Sequence, residues 1–250
     1  MTSAVALVGD WNATPEDAGR FSPSWLDATA GLRLVSSGPG RHGDIDYMLA
    51  DCHVSHPRRH EPPRTGGSES DHDIVVFTCY KPGNHAKTHQ LTVATWNLRY
   101  GRPPTEVARQ LRLVLAAIEP DVLCLQEAAD YHSQIRATAQ DRRHRVLAYT
   151  GRGKEHQVIL VRDELPTRRP RLVQLSPLGW PLSTGTGEHA PLYATSWAVD
   201  WLRVIDVHLP PSVNWRRGII YGPARKVAAY VAGMGKLRRW VRNNRRRRKP

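Results

Sequence analysis

Acids, amides and imidazoles recur in this chain at the ends of short apolar runs, where a strand would present them to one edge of a sheet. Asn97 follows Leu91-Thr92-Val93-Ala94-Thr95-Trp96, and Gln126-Glu127 follows Asp121-Val122-Leu123-Cys124-Leu125. An amide oxygen can hold a hard cation or position a carboxylate, so an Asn and a Glu at neighbouring strand ends suggest a divalent metal site. Asp10 and Asn12 follow an apolar run at 4–8, and alternation places both on one side, able to face one phosphate. Asp46 lies between Ile45 and Tyr47, a costly place for an acid without a partner. Ser70-Asp71-His72 precedes the apolar run 74–79, and His208 closes 201–207. A Gly-Asp turn or a lone histidine is often inert. Several such groups at strand ends in one chain raise the chemical reading above the inert one.

The elements that must position these groups are legible from periodicity. Residues 91–97 alternate as a strand, and Val107, Leu111, Val114, Leu115 and Ile118 have helical spacing. With the strand 121–125 they form a strand–helix–strand unit, which makes Asn97 and Glu127 ends of parallel neighbours. Further strands are expected at 32–35, 44–49, 145–149, 158–161, 192–199 and 201–207, with a helix start at Thr14-Pro15 and a polar helix at 130–140. The Pro-, Arg- and Gly-rich stretch 163–190 reads as long loops. Residues 223–243 read as an amphipathic helix with a basic outer face, ending in the tail Arg245-Arg246-Arg247-Arg248-Lys249.

Thr95-Trp96-Asn97-Leu98 and Leu125-Gln126-Glu127 resemble the opening of the endonuclease/exonuclease/phosphatase superfamily, the deoxyribonuclease I-like group. Gly9-Asp10-Trp11-Asn12, Ile45-Asp46-Tyr47, Ser70-Asp71-His72 and Val207-His208-Leu209 resemble its other signatures. The last three motifs of the family stand first here, at 9–72, and its first three follow at 96–208, an order that circular permutation accounts for. On that reading residues 1–80 are the family's C-terminal half, 81–89 a polar connector, 90–243 the N-terminal half and 244–250 a basic tail of one domain. The resemblance implies an α/β four-layer sandwich, two mixed β-sheets flanked by helices, circularly permuted. It implies phosphodiester hydrolysis with Glu127, Asn97 and Asp71 at a Mg²⁺ site, Mn²⁺ being the substitute ion. Asp10 would orient and deprotonate water, and Asn12 would meet the developing charge. His72, oriented by Asp46, and His208 would contact the phosphoryl group and leaving oxygen. Glu155, in Lys154-Glu155, would pair with His208 as a similar Lys-Glu does in deoxyribonuclease I.

Composition sets the partners. The 250 residues are 40% hydrophobic and carry a net charge of +13, which favours a polyanion, nucleic acid first and an anionic membrane or phosphorylated metabolites second. The substrate is therefore expected to be DNA or another phosphodiester, with a lipid or small-ester phosphatase and a non-catalytic nucleic-acid-binding protein as the alternatives. Cys52, Cys79 and Cys124 are odd in number and widely spaced, so no disulfide framework is implied. The Cys52, His53, His56 and His60 cluster matches no standard zinc spacing. No run is long enough to span a bilayer, and a reducing, cytoplasmic location is the expectation. Residues 1–80 and 90–250 could also pair between chains as a swapped dimer.

Overall fold

The computed structural model describes residues 4–11, 31–38, 46–55, 57–67, 69–82, 89–150, 157–174, 182–183, 189–190, 193–208, 214–216, 219–221, 235–237 and 239–243. The chain begins with β1 (Ala4–Asp10), β2 (Arg33–Val35), β3 (Asp46–Ala50), β4 (His53–Val54), β5 (Arg58–His60), β6 (Ile74–Tyr80) and β7 (Gln90–Asn97). It continues through α1 (Pro104–Ile118), β8 (Val122–Gln126), a 3-10 turn (Ala129–Tyr131), α2 (His132–Asp141), β9 (His144–Thr150) and β10 (Gln157–Arg162). Last come β11 (Thr167–Gln174), β12 (Leu182–Ser183), β13 (His189–Ala190), β14 (Tyr193–Val199), β15 (Leu202–His208), β16 (Asn214–Arg216) and β17 (Ile219–Tyr221).

Two mixed sheets result. The first runs β11-β14-β15-β1-β3-β2, with β1 and β15 parallel; the second runs β4-β6-β7-β8-β10-β9, with β7 and β8 parallel and β5 beside β6. The period-two alternation of β6 explains how they stack. Val75, Phe77 and Cys79 join Val8, Met48, Val93, Cys124, Ile159 and Val204 in the interior between the sheets. Ile74 and Val76 face outward and join Trp96, Leu123 and Leu125 under Val107, Leu111, Val114 and Leu115 of α1 and Ile135 and Ala139 of α2. Removing a fully buried leucine from such a layer, Leu111 for example, costs about 2–5 kcal/mol. The α/β class, paired mixed sheets and outer helices are those the resemblance implies.

α1 starts at Pro104, whose missing N–H costs nothing in a first turn. It stops where Glu119 turns left-handed (φ 47°), with Pro120 beyond it. The strand–helix–strand expectation over 91–125 is met. The reading of 163–190 as loops is corrected: Thr167–Gln174 is an edge strand paired antiparallel with β14. Pro170 falls where the register shifts between Arg168 and Arg171, a place where an edge strand tolerates a missing donor. Among Arg168-Arg169-Pro170-Arg171 the alternation that marks a strand is invisible in sequence. Residues 235–237 and 239–243 are helical, with Leu237 and Val241 buried, inside the stretch expected to be a basic amphipathic helix. The Thr14 helix start, His56, the middle of the connector and the basic tail lie outside the described residues. The connector's flanks do meet, since Tyr80 pairs with Gln90 and Lys81 N donates to His89 O at 3.0 Å. No described helix is long and apolar enough to cross a membrane.

Candidate active site

In the first sheet one row of side chains is set by register. Asp10 at the end of β1 pairs with His208 at the end of β15 on one side and with Asp46 at the start of β3 on the other. Residues directly opposite in neighbouring strands point to the same face, so the two acids and the imidazole form one line. Gly9 permits this close approach. Its φ is +147°, and a Cβ there would lie 1.9 Å from Val207 O. Trp11 locks the strand's exit, stacking on Tyr47 at 5.0 Å and donating Nε1 to Tyr47 O at 3.0 Å.

The second sheet supplies the facing half. Asn97 and Gln126 are register partners at the ends of parallel β7 and β8, and the chain leaves both in left-handed turns, with Arg99 at φ 61° and Glu127 at φ 53°. Side chains with Cβ atoms tolerate this conformation only where the surroundings enforce it. Here Arg99 N donates to Asn97 Oδ1 at 2.9 Å and Tyr100 N to Glu127 Oε2 at 2.8 Å. The loop is braced from behind by Tyr131, whose hydroxyl accepts from Arg102 N (2.9 Å) and donates to Arg99 O (3.0 Å). The buried Arg102 guanidinium binds Leu98 O at 2.9 Å and the Gln110 side chain. Ser70 Oγ donates to Asn97 O at 2.6 Å and accepts from His72 N at 3.1 Å, which ties the Ser-Asp-His turn to the end of β7.

The halves meet across the gap between the sheets. Because Arg99 N can be answered only by an oxygen, Asn97 must turn its nitrogen inward. Nδ2 donates to Asp10 Oδ2 at 3.0 Å and to Glu127 Oε1 at 3.2 Å. His208 Nε2 stands 3.8 Å from Asp10 Oδ2 and 3.7 Å from Glu127 Oε1. His72 Nδ1 lies 3.1 Å from Asp46 Oδ2, and its Nε2 lies 4.0 Å from Asp10 Oδ2. Burial pulls the His72 pKa down, but the hydrogen bond to Asp46 and the charges of Asp10, Asp46 and Asp71 outweigh it and raise it to about 9. Burial raises Asp46 to about 6, against the hydrogen bond from His72. At neutral pH the pair is thus a carboxylate and an imidazolium.

Asp10, Asp46 and His72 each place one ligand-capable atom within 4.8 Å of the others. An imidazolium has protons on both nitrogens and no lone pair to offer, so this trio is an ion cluster at neutral pH. The better oxygen donor for a hard cation is Glu127. Its side chain is 22% exposed, and each oxygen accepts one hydrogen bond with a further lone pair to spare.

Six of the expected residues, Asp10, Asp46, His72, Asn97, Glu127 and His208, therefore converge in one cluster. Asp71 sits at the rim, 39% exposed, with Oδ2 4.0 Å from Arg99 Nε. Asn12 and Glu155 lie outside the described residues. Ser70 belongs to the Ser-Asp-His motif, but nothing in the sequence marks Ser70, Arg102 or Tyr131 for this supporting role. Arg102 and Tyr131 look like ordinary surface and helix residues there, and only the loop's folded path shows their use.

No protein-family model matches the chain, and no curated protein matches it. Among solved structures it is similar to the endonuclease domain of TRAS1, a telomere-specific non-LTR retrotransposon, with a TM-score of 0.43 and 12% identity over 68% of this chain and 91% of that one. It is similar to D. rerio TDP2 complexed with a single strand DNA product, with a TM-score of 0.42 and 10% identity over 78% and 99% of the two chains. Against truncated Caenorhabditis elegans TDP2 the TM-score is 0.34 at 19% identity over 46% of this chain, and the match spans 43% of that chain.

Proposed function

We propose that this chain is a divalent-metal-dependent phosphodiesterase acting on nucleic acid, DNA first. The observation that carries the reading is the meeting of Asp10, Asp46 and His208 from one sheet with His72, Asn97 and Glu127 from the other, within hydrogen-bond or ion-pair distance. Such a density of acids at a phosphate site calls for a cation. Glu127 fits as its principal ligand, with Asp71 at the rim as the second carboxylate and Asn97 as the amide that orders the site. A bound Mg²⁺, or Mn²⁺ in its place, would neutralise phosphate charge and polarise the phosphorus–oxygen bond.

The chain's own groups divide the remaining work. Asp10, aimed by Asn97 Nδ2, orients the attacking water and takes its proton. The His72 imidazolium, held by Asp46, binds phosphoryl oxygens, and His208 attends the leaving oxygen. Asn12 and Glu155 keep the roles the resemblance implies, hydrogen bonding to the developing charge and orienting His208. The permuted motif order belongs to the same reading, because β6 and β7 are adjacent antiparallel strands that a short connector can join. In this structure β1 and β15 of one chain pair with each other.

The net charge of +13 favours a long polyanion over a small ester, which needs cations only inside its pocket. The test is Mg²⁺-dependent hydrolysis of supercoiled, linear and abasic-site DNA, with a small phosphodiester in parallel and EDTA as control. Cleavage of DNA that EDTA stops and Asp10→Asn abolishes is expected. Folded protein that hydrolyses none of these would overturn the proposal, and preference for the small ester would move it to the phosphatase reading.

A further inference from the structure

Among the described residues the interior between the sheets is apolar except beneath the site. There Thr95, Gln126, Gln157, Thr195 and Asp206 are all buried. Gln126 Nε2, from the second sheet, donates to Asp206 Oδ1 of the first at 2.7 Å and lies 3.1 Å from Thr95 Oγ1. Beside it Thr195 Oγ1, from the first sheet, donates to Gln157 Oε1 of the second at 3.3 Å. The two ties are neighbours on both sides. Thr195 and Asp206 are register partners, while Gln157 precedes Val158, whose partner is Leu125, the residue before Gln126. Asp206 is fully buried, and its Oδ2 has no hydrogen-bond partner among the described residues. Burial pushes its carboxyl well above the ordinary range, against the hydrogen bond from Gln126.

The placement is telling. Thr95 is two residues before Asn97, Gln126 is one before Glu127, and Asp206 is two before His208. Every contact that assembles the site from its two halves, such as Asn97 to Asp10 at 3.0 Å and His208 to Glu127 at 3.7 Å, depends on how far apart the sheets stand at that end. Apolar side chains resist separation but grip weakly against sliding, whereas a buried hydrogen bond has one favoured length and direction. We propose that Asp206 is a positioning residue: its hydrogen bond to Gln126 clasps the two sheets and sets their spacing beneath the site. This inference rests on the phosphodiesterase reading for its kinetic consequences, though the clasp itself does not.

The test compares Asp206→Asn, which keeps an acceptor for Gln126, with Asp206→Leu, which removes it while keeping the branched shape of the side chain. Misplacement of reacting groups by about 1 Å can cost about a hundredfold in rate. On DNA cleavage Asp206→Leu should therefore lower kcat by about tenfold or more and raise the Mg²⁺ concentration for half activity, with KM for DNA little changed. Asp206→Asn should stay within about threefold of the parent, since the hydrogen bond survives. A second readout needs no catalysis. The side-chain amide resonance of Asn97 in ¹⁵N NMR reports the cross-sheet bond to Asp10, and it should move in Asp206→Leu but not in Asp206→Asn. If Asp206→Leu does not fold, the double variant Asp206→Leu/Gln126→Leu supplies an apolar pair in the clasp's place, and it should fold yet keep the kinetic and NMR defects. Parent-like kcat, metal requirement and Asn97 resonance in a folded Leu variant would overturn the proposal, as would equal damage from Asn and Leu. An inactive parent would sink the phosphodiesterase reading, while the Asn97 resonance would still decide the clasp.

Discussion

Replacing His72 by Gln should change how stability depends on pH, and the size of the change follows from the ion cluster. The imidazole is raised from an ordinary 6.5 to about 9. At about 1.4 kcal/mol per pKa unit, that is about 3 kcal/mol of stability owed to the protonated ring. The group's pKa is raised on folding, so this contribution is complete below pH 6.5 and is lost as pH climbs through about 9. Wild-type protein unfolded by urea in EDTA at pH 6.5 and again near pH 9.5 should therefore lose about 3 kcal/mol across that interval from His72 alone. His72→Gln has no such proton to lose, so the difference between the two proteins should shrink by about the same amount. Titration of cysteines and tyrosines is common to both and cancels in the comparison. At pH 6.5 the variant should also be the less stable one, because Asp10 and Asp46, both buried, would face each other without the imidazolium. Parallel pH profiles for wild type and His72→Gln would refute the charged-ring description of the cluster.

Other outcomes follow from the same geometry. Glu127→Gln should fold normally and require far more Mg²⁺ for activity, measured by metal titration, because it removes the carboxylate proposed as the principal cation ligand. Tyr131→Phe deletes the hydroxyl that braces Arg99 and Arg102, and should lower kcat with a thermal shift of only a few degrees, about 1 kcal/mol for a hydrogen bond. Gly9→Ala should fail to give soluble folded protein, or give protein without activity, since its Cβ would meet Val207 O at 1.9 Å; circular dichroism and a cleavage assay would show it. Deleting residues 245–250 should make the log–log salt dependence of DNA affinity shallower, by about 0.9 per lost phosphate contact, while hydrolysis of a small diester stays the same.

The residues of the candidate site, and the strands that carry them, were readable because both signals are local. Alternation over 91–97 and 121–125, helical spacing over 104–118 and the motifs around Asp10, Asp46, His72 and His208 each need only a short window of chain. The strand at 167–174 was hidden because arginines and a proline interrupt the pattern on an edge that water can solvate. What tertiary structure alone decided was partnership. Asp10 stands between Asp46 and His208 because β1 happens to lie between β3 and β15, a pairing that no local window contains. Asn97 turns its nitrogen to the acids because a backbone N–H two residues later claims its oxygen. Asp206 reads in sequence as one acid in an alternating strand, and its meaning comes from Gln126, 80 residues away in the facing sheet. Periodicity says which way a side chain points from its own strand, but the distance between two sheets is set by everything packed between them.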